Sequence, residues 1–100
     1  MIKIVKVRGE SMLPTFAPDD YLILTKARAL RSGFVVLVDH PKYGTIVKRV
    51  KSVASDAVTL EGDNLSESTS SEDMGDVPLK HIRGRVRWSV KPGFFRLKSP

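Results

Sequence analysis

"FVVLVDHPKYGTIVKRVKSV", residues 34–53, contains two segments rich in β-branched residues, separated by the turn-forming run Pro-Lys-Tyr-Gly. This pattern predicts strands at 34–40 and 45–53. Similar segments lie at 2–8, 21–27, 57–62 and 82–90, with Gly, Pro, Asp or Asn between them. The sequence therefore predicts an all-β fold, an antiparallel sheet or partly closed barrel, with at most one short helix, near Lys26–Arg31.

Length and composition limit the remaining possibilities. The 100 residues predict a single domain, 1–100, and the absence of cysteine excludes disulfides, thiolate chemistry and zinc-ribbon sites. Two scattered histidines predict no metal site. No apolar run approaches the roughly 20 residues of a membrane-spanning helix, and the first residues lack the layout of a signal peptide. These features predict a soluble, cytoplasmic protein.

The net charge of +6 is unevenly distributed. Residues 77–100 contain seven Lys and Arg residues and no acidic residue, which predicts a positive surface at this end of the chain. Nucleic acid and anionic lipid are both possible partners for such a surface. A solvated face without a partner is an equally good interpretation, because basic charge alone identifies no ligand.

Ser11, in "RGESMLPTF" (8–16), is a candidate nucleophile if another side chain can accept its proton. The chain offers only His40 and His81 as imidazole bases. Asp39 cannot orient His40, because neighbouring residues of a strand point to opposite faces. A lysine base is the alternative, and it must be buried, since desolvation disfavours the ammonium form.

The strand at 45–53 contains a lysine in such a position. Its alternation places Lys48 between Ile46 and Val50 on one face, while Val47 and Arg49 lie on the other. Two interpretations stay open from the spacing alone. Lys48 is either a buried base or a snorkelling side chain whose ammonium group reaches water.

Three segments resemble successive boxes of the type I signal peptidases, the Ser/Lys-dyad peptidases of the S26 class: "SMLPT" (11–15), "VKRV" (47–50) and "GDNLSESTSSEDMGDVP" (62–78). "PDDYLIL" and "RSGFVVLV" are similar to the two boxes between the serine and the lysine, so the resemblance extends from residue 7 to about residue 85. It implies the signal peptidase/LexA peptidase type of fold.

The resemblance implies a role for four residues. Ser11 would be the nucleophile, its backbone N–H an oxyanion donor, and Lys48 the general base. Ser68 would orient the lysine, and Gly9 lies where some members place a second oxyanion donor. Ser70 and Glu72 stand where the family usually has Asp and Arg, so a family salt bridge is absent or replaced.

The resemblance also implies a shallow apolar groove that admits small side chains at the first and third residues before the scissile bond. Five residues are candidates to line it, although each could instead belong to the core: Val5, Val7, Met12, Ile46 and Val47.

The chain is most similar to short family members without a membrane anchor, such as the nickel-type superoxide dismutase maturation peptidases. We therefore expect a serine endopeptidase that needs no cofactor and removes an N-terminal leader or propeptide from a precursor protein after small residues. Weak, salt-sensitive membrane association at most and no specific nucleic-acid binding are expected.

Two alternatives stay open. A LexA-type self-cleaving peptidase would share the dyad, but Pro14-Thr15 and the absence of an Ala-Gly bond argue against it. A non-catalytic basic β-domain that binds nucleic acid or anionic membrane is the other.

Overall fold

The computed structural model of the chain describes residues 2–66 and 74–95. Among these described residues, seven strands form one antiparallel sheet, and the six strands predicted from the sequence are all present. Their bounds are Ile2–Lys6 (β1), Tyr21–Thr25 (β2), Val35–His40 (β3), Gly44–Val53 (β4), Ala57–Glu61 (β5), Val77–Pro78 (β6) and Ile82–Val90 (β7). The all-β prediction is confirmed.

The strand order in the sheet is β1-β2-β7-β3-β4-β5-β6. The last long strand therefore lies between β2 and β3, pairing Ile23 with Trp88 on one side and Val36 with Arg85 on the other. β1 and β6, at the two ends, do not pair with each other among the described residues. Of the two predicted forms, the protein adopts the open sheet rather than a barrel.

The sheet has an apolar cluster on each face. One contains Val36, Val38 and Val50, and the other contains Leu22, Leu24 and Leu37. Successive residues of β3 point to opposite faces, so the continuous apolar run of this strand contributes to both clusters. β3 and its neighbour β4 thus form the centre of the fold and provide a rigid support for the site described below.

The predicted helix near Lys26–Arg31 is wrong. Residues 26–31 are irregular, and Ala29 has a φ of 45°, in the left-handed region that an α-helix cannot contain. The segment then turns through a hydrogen bond from the Phe34 N–H to the Arg31 carbonyl and leads into β3. Short 3₁₀ turns occur instead at Leu79–His81 and Pro92–Phe95.

Candidate active site

Ser11 lies in the connection between β1 and β2. This loop departs from β1 through Gly9, whose φ of 73° favours a residue without a Cβ atom. It then forms two consecutive turns, with hydrogen bonds from the Leu13 N–H to the Glu10 carbonyl and from the Phe16 N–H to the Met12 carbonyl. The Leu13–Pro14 bond is cis. Ser11, half-buried, sits in the first of these turns.

The segment that follows β5 is hydrogen-bonded to the loop that contains Ser11, which we call the serine loop. The Asn64 N–H donates to the Ser11 carbonyl at 2.8 Å, and the Asn64 side-chain amide donates to the Glu10 carbonyl at 3.1 Å. Two adjacent backbone carbonyls are therefore bound by a single residue. The backbone N–H of Ser11 has no acceptor among residues 2–66 and 74–95, so it is available to a ligand.

A charged cluster ties the same segment to β4. Arg49 donates through Nε and Nη2 to the two carboxylate oxygens of Asp63, at 2.8 and 2.7 Å, and through Nη1 to the Gly33 carbonyl at 2.7 Å. Thr15, from the serine loop, donates its hydroxyl to Asp63. These hydrogen bonds, led by the one from Arg49, lower the pKa of Asp63 despite its burial, and Asp63 raises the pKa of Arg49.

The strand that contains Lys48 is joined to the loop that contains Ser11 through this arrangement. Arg49, the residue after Lys48, binds Asp63, and Asn64, the residue after Asp63, binds the Ser11 carbonyl. Two short covalent connections and two hydrogen-bonded contacts therefore join the strand of the lysine to the loop of the serine. We call the hydrogen-bonded set Thr15, Arg49, Asp63 and Asn64 the clamp.

Lys48 is buried in the middle of β4, opposite Val36 of β3. Only 5% of its surface is accessible, so its ammonium group is largely withdrawn from solvent, in contrast with a snorkelling lysine. Burial lowers the pKa of Lys48, because the charged ammonium form loses hydration inside the protein. A lysine in this environment can reach its neutral, proton-accepting form at a lower pH than a free one.

A cleft of about 400 Å³ opens beside Ser11, between β1 and β4. The five residues that the sequence placed in a substrate groove all line this cleft together with Ser11: Val5, Val7, Met12, Ile46 and Val47. Val7 and Met12 are buried and the other three are half-buried. The structure thus brings all five together at one surface, and Leu37 also lines the cleft.

Lys48 is not among the residues that line this cleft, and two other predicted site residues also have a different outcome. Gly9 is exposed and precedes Ser11 in the loop, without lining the cleft. Ser68 lies outside the described residues, as do Ser70 and Glu72. The sequence analysis did not assign the clamp, although Arg49 and Asp63 both stand inside quoted boxes. The opposite charges of these two residues, each beside a site segment, were the available signal.

A comparison with protein families matches residues 2–86 to the model described as "Peptidase S24-like". The chain belongs to this S24-like peptidase family. The match includes all seven strands up to Val86 of β7, the serine loop, β4 with Lys48, and the clamp. The predicted resemblance to signal peptidase-like proteins is confirmed at this level.

Two curated relatives of this S24-like chain are inner membrane proteases. Mitochondrial inner membrane protease subunit 1 of Xenopus tropicalis is 47% identical over 47 residues, which cover 47% of this chain and 28% of the relative. Mitochondrial ATP-independent inner membrane protease subunit 1b of Arabidopsis thaliana is 27% identical over 113 aligned positions, covering 84% of this chain and 67% of the relative. No solved structure matches the chain at a comparable level of significance. Within residues 2–66 and 74–95, no helix is long and apolar enough to cross a membrane.

Proposed function

We propose that this protein is a serine endopeptidase in which Ser11 is the nucleophile and Lys48 the general base. The observation that supports the proposal best is the clamp, which joins the strand of the buried Lys48 to the loop of Ser11, beside a cleft that is lined mainly by apolar residues. A hydroxyl needs a neighbouring base to attack a peptide bond, and a buried lysine is such a base when its pKa is lowered.

The proposed reaction has two stages. Ser11 Oγ attacks the carbonyl carbon of the scissile bond while neutral Lys48 accepts the hydroxyl proton, and the Ser11 N–H stabilises the resulting oxyanion. The lysine then returns the proton to the departing amine, which leaves an ester between Ser11 and the acyl half of the substrate. A water molecule, deprotonated by Lys48, hydrolyses this ester and regenerates the serine.

The proposed substrate is a precursor protein whose N-terminal leader or propeptide is removed after small residues. The apolar lining of the cleft by Val5, Ile46 and Val47 supports this, since a shallow apolar groove favours small uncharged side chains. The cellular location stays a prediction. The sequence favours the cytoplasm, whereas the names of both relatives assign those proteins to the mitochondrial inner membrane.

The test is to incubate the wild type with candidate precursor proteins and to identify the new N-termini by mass spectrometry. Ser11→Ala and Lys48→Met, which preserves the apolar packing of the lysine stem, should each reduce cleavage by about a thousandfold or more. His40→Ala and His81→Ala are the controls and should retain activity. Loss of activity in either histidine variant, with Lys48→Met active, would contradict the dyad.

The same experiment separates the alternatives. A self-cleaving peptidase would cut its own chain in the absence of any precursor, and Ser11→Ala would abolish that cut. A non-catalytic domain would produce no Ser11-dependent N-terminus from any substrate. Circular dichroism and thermal unfolding of each variant check that the fold is preserved.

A further inference from the structure

The outer side of β1, β2 and β7 exposes apolar side chains in a continuous row. Ile4, Ile23 and Trp88 are aligned across the three strands, one from each, so their side chains share a face. Ile4 is 55% and Trp88 56% exposed, and Ile2, two residues before Ile4, is exposed as well. The opposite side of the same strands is filled by the buried cluster that includes Leu22 and Leu24. We call Ile2, Ile4, Ile23 and Trp88 the outer face.

Large apolar side chains that are exposed side by side on a protein surface mark interaction sites. It contrasts with the rest of the sheet, where the apolar residues of β3 are covered on both sides. The outer face therefore requires an explanation that core packing does not provide.

The charged residues of the three strands that form the outer face are all cations. β1, β2 and β7 contain five cations and no acidic residue: Lys3, Lys6, Arg83, Arg85 and Arg87. Lys6 and Arg83 contact carboxylates of other segments. Arg85 and Arg87 have no carboxylate partner among the described residues; Arg85 lies 3.5 Å from the ring centroid of Phe34 and Arg87 lies 5.8 Å from that of Trp88.

Arg85 and Arg87 line the same cleft beside Trp88. A cleft of about 230 Å³ between β7 and the residues that lead into β3 is lined by Arg85, Arg87 and Trp88. Guanidinium groups held on aromatic rings are weakly hydrated and bind phosphate oxygens well. The cleft thus offers cationic groups at the border of an exposed apolar surface.

We propose that the outer face docks on an anionic membrane surface, with Ile2, Ile4 and Trp88 among the lipid chains and Arg85 and Arg87 at the phosphate level. An exposed tryptophan next to cations is typical of side chains that lie at the boundary between headgroups and acyl chains. A second copy of the chain fits less well, because a symmetric contact would bring the cations of both copies together. This proposal does not depend on the peptidase proposal.

Trp88 makes the test specific, since it is the only tryptophan of the chain. Its fluorescence emission is measured while vesicles are added, either pure phosphatidylcholine or phosphatidylcholine with about 30% phosphatidylglycerol. We expect a blue shift with the anionic vesicles, which weakens as salt is added, and little change with the neutral ones. Vesicle flotation of the same samples measures the bound fraction.

Matched variants locate the contact. Ile4→Ser should lower the vesicle association constant by about tenfold or more, and Arg87→Gln by about fivefold at low salt. The controls are Val53→Ser, which removes an exposed apolar side chain at the end of β4, and Lys42→Gln, which removes a cation in the turn between β3 and β4. Each should change the association constant by less than about twofold. Circular dichroism confirms folding of each variant.

Several results would overturn the proposal. One is the absence of any emission shift with anionic vesicles, and another is an equal loss of binding in Val53→Ser and Ile4→Ser. An emission shift that grows with protein concentration without vesicles would assign the face to a second copy. A shift produced by a mixed-sequence DNA oligonucleotide but not by vesicles would assign it to nucleic acid.

Discussion

Replacement of Asp63 by Asn tests the clamp directly. In the wild type, the carboxylate accepts two hydrogen bonds from Arg49 and one from Thr15. An amide at this position has one oxygen acceptor and turns an NH₂ group toward donors, so at least one charge-assisted hydrogen bond is lost. Arg49, meanwhile, retains its charge at a site where it is only partly solvated.

Burial sets the size of the expected effect. The side chains of Arg49 and Asp63 are 29% and 14% exposed, between the fully buried pairs, whose disruption costs about 3–5 kcal/mol, and exposed pairs, which contribute about 0–1 kcal/mol. We therefore expect Asp63→Asn to reduce the free energy of unfolding by about 2–3 kcal/mol, and Tm by roughly 10–20 °C for a domain of this size. The control is Asp39→Asn, which removes the ion pair to Arg83. That pair has a similar 2.8 Å distance, but its side chains are 55% and 47% exposed, so its loss should cost less than about 1 kcal/mol.

The effect should also depend on pH. Because Arg49 lowers the pKa of Asp63 in the folded protein, the stabilisation is complete above the carboxyl pKa of the unfolded chain, about 4, and is lost as the pH falls through the lowered folded value. Urea unfolding at a series of pH values should show the largest difference between wild type and Asp63→Asn near neutrality, and convergence in acid. Equal destabilisation by Asp63→Asn and Asp39→Asn, or a difference that does not change with pH, would refute this account of the clamp.

Three further predictions concern single residues. Peptidase activity should rise with pH through a pKa below the ordinary lysine value, since only neutral Lys48 accepts a proton. Lys48→Arg should be inactive at every pH because a guanidinium stays charged, and an active Lys48→Arg enzyme would contradict the mechanism. Asp20→Asn should destabilise the fold by about 1–3 kcal/mol in urea unfolding at neutral pH, more than Lys91→Gln does. Although burial opposes its ionisation, hydrogen bonds from the Ala17 N–H and from Lys91 lower the pKa of Asp20, so the stabilisation by this carboxylate should be lost in acid. An equal loss of unfolding free energy in Asp20→Asn and Lys91→Gln would argue against a special role of the buried carboxylate. Gly9→Ala should cost about 1 kcal/mol in thermal unfolding, and Gly9→Asn less, because the strain comes from the positive φ of Gly9 and no atom of the described residues lies within 4 Å of a Cβ at this position. Equal stability of wild type and Gly9→Ala would contradict this prediction.

Part of the candidate site was predictable because it depends on local pattern. The alternation in β4 placed Lys48 between apolar neighbours, and the structure decides for a buried side chain, one of the two interpretations that this pattern left open. The groove residues Val5 and Ile46 were named from a resemblance, and they meet at one cleft although 41 positions separate them in the sequence. The alternation could not predict the clamp, because no periodic pattern connects Thr15 to Asp63.

The sequence alone determined where the strands lie and which faces they bury, since alternation of side chains is a property of a single strand and needs no partner. β7 illustrates this: its predicted bounds, 82–90, agree with the structure. Only the tertiary structure decided that β7 inserts between β2 and β3, because the choice of partner depends on the combined packing of segments far apart in the chain. That insertion brings Trp88 beside Ile23 and Ile4 and so creates the outer face. The same insertion sets the path of residues 26–34, which connect β2 to β3 across the middle of β7, since Thr25 and Val36 both pair with Arg85.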